Sequence, residues 1–167
     1  TDLSKQIISG AYWNKVPEPG AELAIVYCGA VAPEAQAAYE ELSEDVPGLG
    51  LLSITSPDRL HADWLDAKRA RRRERPEALA EIEQILQILM PDAALVTVID
   101  GHPATLSWLG AVNGHRVYPL GVETFGQSGD INDLYKHYGL DTEAILEAAA
   151  RACLRRFSAS GHVPRAA

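Results

Sequence analysis

The sequence predicts an α/β domain in which a mostly parallel sheet lies between two layers of helices. Short, almost wholly apolar runs alternate with amphipathic stretches along the 167 residues. Four of these runs have the length and composition of strands that are buried on both faces. Because crossovers between sequential parallel strands are nearly always right-handed, the alternation implies a doubly wound, three-layer α/β/α sandwich.

Residues 1–20 are predicted to form a lead-in strand and a linker. The strand covers Ile7–Trp13 and can pair antiparallel at an edge of the sheet. The linker is Val16–Gly20, whose two prolines and glycine end regular structure. The first buried strand follows over Leu23–Cys28, and a helix with Pro33 in its first turn completes this strand–helix unit.

The second unit begins after the Pro47-Gly48 turn, and its buried strand is predicted over Leu49–Thr55. Ser56 and Pro57 suit the N-cap and first position of a helix, which is charged over Arg59–Arg75 and breaks at Pro76. A second amphipathic helix is then predicted, stopped by the segment 90–92. Its apolar face consists of Leu79, Ile82, Ile85, Leu86 and Leu89.

The third buried strand is predicted over Ala94–Ile99, followed by a helix that Asn113-Gly114 closes with a left-handed cap. Val117–Val122 is the last strand. After a glycine-rich loop, Asp130 caps a short helix that Gly139 ends, and Asp141 opens the final helix. The apolar side of that final helix carries Ile145, Leu146, Ala149, Cys153 and Leu154.

Composition excludes several classes of protein. A net charge of −8 argues against general binding to nucleic acid. No apolar run approaches the roughly 18 residues of a membrane span, so no membrane partner is expected. Cys28 and Cys153 stand alone in apolar patterns, which predicts small buried hydrophobic residues and a reducing, cytoplasmic setting.

The segment Lys68–Arg75 concentrates six of the 15 basic residues of the chain. It can be read as a phosphate-contacting patch or as a solvated helix face. We favour the solvated face, because no aromatic residues interleave with the arginines to stack on bases. A local patch of this kind could also dock an acidic partner protein.

The residues that could carry catalysis are sparse. His102 follows a predicted strand at the edge where α/β sheets bind ligands, although turn chemistry alone explains the Asp-Gly-His-Pro run, and we favour that explanation. His61, His115, His137 and His162 show no metal-ligand spacing, so no metal site is expected. Ser128 has no nucleophile-elbow context, and its glycine-rich loop lacks the lysine of a phosphate-binding loop.

The last third of the chain carries an ordered series of motifs. Leu120-Gly121-Val122 follows the last strand, then come Leu134-Tyr135, Gly139-Leu140-Asp141 and a closing helix. Between the first two motifs lies the glycine-rich loop, which consists of Phe125, Gly126, Gln127, Ser128 and Gly129. This series resembles the C-terminal domain of the transketolase-like, thiamine-diphosphate-dependent enzymes. Within that group it looks most like the homodimeric decarboxylating first component of the pyruvate dehydrogenase complex.

The resemblance implies a mixed five-stranded sheet with one antiparallel edge strand, and residues 1–167 as a single C-terminal domain of a larger enzyme. Thiamine diphosphate and Mg²⁺ would lie in preceding domains, so no cofactor-binding, metal-binding or catalytic residue is expected here, and the isolated domain is expected to be inactive. The implied parent enzyme is a homodimer that decarboxylates pyruvate and passes an acetyl group to a lipoyl-bearing acyltransferase. Two alternatives remain open: a transketolase, which transfers two-carbon ketol units, and a freestanding protein-binding module.

Overall fold

A computed structural model of the chain describes residues 3–73, 75–124 and 126–159. Within these residues the strands are β1 (Ala11–Lys15), β2 (Ala21–Cys28), β3 (Gly50–Ile54), β4 (Leu89–Ile99) and β5 (Arg116–Leu120). They form one sheet of order β1-β3-β2-β4-β5. Four strands are parallel, and β1 pairs antiparallel with β3 at the edge, Ala11 opposite Ile54. The predicted mixed five-stranded sheet is confirmed.

Helices cover both faces of the sheet, as the alternating pattern predicts. They are α1 (Leu3–Ser9), α2 (Ala32–Leu42), α3 (Pro57–Arg73), α4 (Glu81–Leu86), α5 (Ala104–Ser107), α6 (Ile131–Tyr138) and α7 (Thr142–Ala159), with short 3₁₀ segments at Gly29–Val31 and Trp108–Ala111. Side chains of α3, α4 and α5 fill the core on one face. Those of α2 and α7 fill the core on the other face. The chain therefore forms a three-layer sandwich.

The lead-in segment differs from the prediction of a strand over Ile7–Trp13. Residues 3–9 form α1, and the strand begins only at Ala11. Gly10 separates the two with a φ of 114°, a conformation that favours glycine. Its carbonyl oxygen accepts hydrogen bonds from the N–H groups of Thr55 (2.9 Å) and Ser56 (3.1 Å). Gly10 thus anchors the start of the edge strand to the end of β3.

The segment before the third buried strand also differs from its prediction. The amphipathic helix spans only Glu81–Leu86, and Met90-Pro91-Asp92, predicted to stop a helix, belongs to the eleven-residue strand β4. The register explains how a strand tolerates this proline. Ala21 of β2 pairs with Leu89, but Leu23 pairs with Ala94, so residues 90–93 form a bulge that does not need the missing N–H group.

Several local predictions hold. The Asp130 carboxylate accepts a hydrogen bond from the Asp133 N–H at 3.0 Å, and Gly139 ends α6 with a φ of 64°. The Asp141 carboxylate accepts one from the Ala144 N–H at 3.1 Å at the start of α7. The prediction that Leu154 lies on the apolar side of this helix is wrong, because its exposed fraction is 66%. The buried side of α7 consists instead of Ile145, Ala148, Ala149 and Ala152.

Candidate functional site

The strand connections single out one crevice at the carboxyl end of the sheet. Neighbouring strands β2 and β4 run parallel, with Cys28 opposite Ile99. The chain leaves β2 toward α2 on one face and leaves β4 toward α5 on the other. In open α/β sheets such a reversal leaves a crevice between the two strand ends, where ligands commonly bind.

Asp100 lies against Gly29 at this crevice. Gly29 has a φ of 86°, and a Cβ atom at this position would clash with Asp100 Oδ1. The other carboxylate oxygen of Asp100 accepts a hydrogen bond from the Ala30 N–H at 3.4 Å. The carboxylate therefore occupies the position at which a ligand anion would meet this backbone N–H group.

The same carboxylate affects two ionisable side chains nearby. Burial, and after it the charge of Asp100, raises the pKa of the Cys28 thiol. Burial, then Asp100 and then Glu34 raise the pKa of the Tyr135 hydroxyl. Both groups are held in their protonated forms at neutral pH. Since the thiolate is the nucleophilic form of cysteine, this environment disfavours Cys28 as a nucleophile.

His102 lies on the exposed side of this crevice. Its Nδ1 accepts a hydrogen bond from the Ala104 N–H at 3.2 Å, so the ring caps the turn that leads into α5. The carbonyl oxygen of the adjacent Gly101 accepts a hydrogen bond from the Val122 N–H at 2.8 Å. At Gly121 a Cβ atom would lie 2.6 Å from the same carbonyl oxygen, so glycine permits this close approach of two backbone segments.

The glycine-rich loop lies on the β5 side of the crevice, and residues 126–129 are exposed. Phe125, the first residue of the motif, lies outside the described residues. A hollow of about 300 Å³ lies beside the loop, lined by Pro119, Leu120, Gly121, Glu123, Thr124, His137 and Tyr138. Gln127 and Ser128 are not among the residues that line it. The link between this glycine-rich loop and the family therefore rests on the sequence motif alone.

The basic side chains of the segment Lys68–Arg75 lie in different environments. Arg71 forms a bidentate ion pair with Glu83, in which both nitrogen-to-oxygen distances are 2.8 Å. Its Nη1 also donates to the carbonyl oxygen of Ala78 at 2.7 Å. Lys68 Nζ lies 4.1 Å from the centre of the Trp64 ring. Arg71 thus ties α3 to the segment that follows it, whereas Lys68 contacts a residue of its own helix. Neither side chain is fully solvated.

The histidines are dispersed, as the sequence indicates. His61 stacks near Trp108, His115 is buried, His137 packs edge-on against Tyr138, and His162 lies outside the described residues. Within the part of the chain that the structure describes, no group of three or more His, Cys, Asp or Glu side chains could hold a metal ion. Over the same residues, no helix combines the length and apolar character needed to cross a bilayer.

Sequence reasoning missed the contact between Glu34 and Thr142. Glu34 Oε2 accepts hydrogen bonds from the Thr142 N–H at 2.9 Å and from its hydroxyl at 2.6 Å, which joins α2 to the first turn of α7. The two residues are 108 positions apart. A glutamate in the first turn of a helix is common, so no local signal could have identified this partner.

The residues of the crevice do not fit the diphosphate group of the expected cofactor. A bound diphosphate needs N–H groups, cationic side chains or a metal ion around it. Here a carboxylate of the chain faces the available N–H group, and its negative charge would repel a second anion. The fit therefore fails, and no step of cofactor chemistry can be assigned to these side chains.

Comparison with known proteins adds a family relationship. Residues 10–141 match the model of a protein family described as the transketolase-like TK C-terminal domain. No protein of curated function shows significant sequence similarity to the chain.

Several solved structures that share this fold are transketolases. The transketolase from Leishmania mexicana is 20% identical with a TM-score of 0.64, covering 90% of this chain and 19% of that chain. A transketolase mutant from Pichia stipitis is 20% identical with a TM-score of 0.59, covering 89% of this chain and 18% of that one. A split-gene transketolase, described as an inactive beta4 tetramer, is 19% identical with a TM-score of 0.52, and the match covers 84% of this chain and 42% of that chain. At these identities the similarity shows the fold alone. The chain spans about a fifth of the length of the first two proteins.

Proposed function

Because the chain belongs to the transketolase-like TK C-terminal domain family, we propose that it is the C-terminal domain of a larger thiamine-diphosphate enzyme of the transketolase type. In this proposal the domain has no reaction centre of its own. It supports the dimer of the parent enzyme and borders the entrance of an active site built by other domains. The family match over residues 10–141 is the observation that carries the assignment.

The position of Asp100 supports a non-catalytic role for the domain. Its carboxylate lies against Gly29 and accepts the Ala30 N–H group at the ends of β2 and β4. The Cys28 thiol and the Tyr135 hydroxyl beside it are held in their protonated forms. Thiamine diphosphate with Mg²⁺ would supply the carbanion chemistry of the parent enzyme. In this crevice, Asp100 and the Ala30 N–H group join the segments that follow β4 and β2.

A transketolase assignment means that the parent enzyme moves a two-carbon ketol unit between sugar phosphates. The full parent protein should then turn over a ketose phosphate with an aldose phosphate acceptor. The isolated chain, titrated calorimetrically with thiamine diphosphate and Mg²⁺, should show no stoichiometric binding. Tight binding by the isolated chain would contradict the absence of a reaction centre, and turnover of pyruvate in place of the sugars would reject ketol transfer.

A second candidate is the first component of pyruvate dehydrogenase, and the loop motif at residues 125–129 favours it. In that case the parent homodimer decarboxylates pyruvate and delivers an acetyl group to a lipoyl-bearing acyltransferase. The discriminating measurement is reduction of an artificial electron acceptor by the parent protein with pyruvate. Both cysteines are free thiols, in keeping with the cytoplasmic setting proposed for either enzyme.

A third possibility, the freestanding binding module, predicts that the native polypeptide consists of this chain alone. Mass spectrometry of the native protein distinguishes it from the two enzyme candidates. A mass near 18.1 kDa would favour the module, and a mass several times larger would favour an enzyme domain.

A further inference from the structure

In the part of the chain that the structure describes, the side chains of four arginines of α3 and the loop after it form no hydrogen bond or ion pair with another element. Arg71 and Lys68 contact Glu83 and Trp64, whereas Arg69, Arg72, Arg73 and Arg75 are exposed. Three of these four line one hollow of about 360 Å³, together with Asp66 and Ala70. We call this feature, formed by Asp66, Arg69, Ala70, Arg73 and Arg75, the arginine hollow.

The backbone explains how Arg75 reaches the hollow although α3 ends at Arg73. The Arg75 N–H group donates to the carbonyl oxygen of Ala70 at 3.1 Å, and this bond folds the chain back over the last turn of the helix. Arg69 and Arg73 lie four residues apart and so share one face of α3. The three guanidinium groups are thereby brought to one place by a helix and its closing turn.

The charges in the arginine hollow are not balanced. Asp66 supplies its one carboxylate, and Asp66 Oδ1 lies 2.8 Å from Arg69 Nη1. Over the described residues, neither Arg73 nor Arg75 has an acidic partner. Among the described residues that line the hollow, three cations stand against one anion, in a chain whose net charge is −8.

Helix stability does not account for this arrangement. Basic residues in the last turn interact favourably with the negative end of the helix dipole. However, like charges four residues apart, such as Arg69 and Arg73, destabilise a helix by a comparable amount. Collecting a third arginine in the same hollow adds further repulsion, which an anion bound between the guanidinium groups would relieve.

Among the described residues, the surroundings of the hollow do not build a phosphate or nucleic-acid site. The hollow lies at the carboxyl end of α3, whereas phosphate sites typically draw on the backbone N–H groups of a helix N-terminus. No aromatic side chain lines the hollow to stack on a base, and the net charge of the chain repels a long polyanion. Guanidinium groups form bidentate hydrogen bonds with carboxylates.

We propose that the arginine hollow is a docking site for an acidic peptide segment of a partner protein, whose carboxylates pair with Arg69, Arg73 and Arg75. The segment needs at least two acidic residues, because two guanidinium groups in the hollow have no acidic partner among the described residues. Contact between exposed charges of this kind is reversible and weakens as salt is added.

The test is a titration of the chain with a fluorescently labelled hexaglutamate peptide at low ionic strength, followed by anisotropy. Hexaglutamine is the uncharged control peptide. The double variant Arg73→Gln/Arg75→Gln should bind hexaglutamate at least about fivefold more weakly. The matched control variant Arg151→Gln/Arg155→Gln removes two exposed charges from α7 and should bind like the unaltered chain.

Three results would overturn the proposal. The chain could fail to bind hexaglutamate, or the two double variants could lose affinity equally, which would indicate attraction by overall charge. Inorganic phosphate or a single-stranded oligonucleotide could also bind the arginine hollow more tightly than the peptide. Backbone NMR signals of residues 66–78 report whether each ligand occupies this hollow, and circular dichroism checks that the variants remain folded.

Discussion

Glu34 of α2 and Thr142 of α7 meet through a single carboxylate oxygen, which accepts hydrogen bonds from the threonine N–H group and from its hydroxyl. This oxygen satisfies one of the N–H groups that every helix leaves unpaired in its first turn. The contact therefore caps α7 with a side chain from another helix, on the face of the sheet that these two helices cover.

Replacing Glu34 should destabilise the domain through this cap. Glu34→Ala leaves the Thr142 N–H and hydroxyl without their acceptor, and we expect a loss of about 1–2 kcal/mol in the free energy of unfolding, measured in urea. Glu41→Ala, an exposed glutamate of the same helix, is the control and should change stability by less than about 0.5 kcal/mol. Equal effects would show that the cap contributes nothing.

Two glycines with nearly the same backbone conformation isolate the effect of Asp100. Gly29 has a φ of 86° and Gly20 a φ of 84°, but a Cβ atom at Gly29 would meet Asp100, whereas one at Gly20 would meet no atom within 4 Å. Gly20→Ala should cost about 1 kcal/mol from backbone strain alone. Gly29→Ala should cost about 1 kcal/mol more, because Asp100 must rotate away from the Ala30 N–H group.

The same pair of variants can be tested in an Asp100→Ala background. Without the carboxylate, the difference between Gly29→Ala and Gly20→Ala should disappear, since the two positions then differ little in their surroundings. A difference that persists in this background would place its cause elsewhere than in the contact between Gly29 and Asp100.

The Arg71–Glu83 pair should make stability depend on pH in the acid range. The hydrogen bond from Arg71 lowers the pKa of the Glu83 carboxyl, although partial burial opposes this shift. Because the folded pKa lies below the unfolded one, the stabilisation is present above about pH 4.3 and is lost as the pH falls through the folded pKa. Unfolding measured from pH 6 down to pH 3 should therefore show a decline that Glu83→Gln reduces.

The pair should also matter at neutral pH, because Arg71 and Glu83 side chains are only 29% and 11% exposed. Arg71→Gln leaves the carboxylate partly buried without its partner, and we expect a loss of about 2 kcal/mol. Arg72→Gln, at the neighbouring exposed position, should change stability by less than about 0.5 kcal/mol. A similar loss in both variants would indicate that removing any charge from α3 destabilises the domain.

His115 should produce a second pH dependence, near neutrality. It is 4% exposed, and neither ring nitrogen has a hydrogen-bond partner among the described residues. Burial lowers its pKa, against smaller opposing effects of the Ala93 carbonyl group and Asp92. The unfolded chain therefore binds a proton that the folded chain rejects, and stability should fall as the pH decreases below about 6.5.

A pair of histidine variants separates this effect from other titrations. His115→Phe should flatten the decline between pH 7 and pH 5 and should cost little at pH 7, because the replacement has no unpaired polar atoms to bury. His137→Gln, at an exposed histidine, is the control variant. The expectation fails if the decline persists in His115→Phe or if both variants flatten it equally.

The predicted strands agree with the structure where burial on both faces demands continuous apolar sequence. Residues 23–28 and 94–99 lie in β2 and β4, two of the three interior strands, and their side chains contribute to both cores. The errors lie where local pattern and tertiary context disagree. In its local sequence, Pro91 indicates the end of a regular element. In the structure it lies in the bulge of β4 opposite β2, where the sheet does not need its missing N–H group.

Helix caps could also be read from the sequence, because the partners are only a few residues apart. Asp130 and Asp141 each contact the N–H group three positions later, and Gly139 adopts its left-handed conformation within its own turn. Such interactions depend on local geometry and residue type alone. They require no knowledge of how the layers are arranged.

The sequence by itself determined the class of fold, the buried strands and the caps of α6 and α7, since these follow from apolar periodicity and short-range hydrogen bonding. Only the tertiary structure decided that Asp100 lies against Gly29 and that Arg71 is tied to Glu83 while Arg73 and Arg75 line the arginine hollow. The physical reason is that a charged side chain is compatible with solvent, with a distant partner or with a ligand. Which of these it meets depends on where separate elements come together in space.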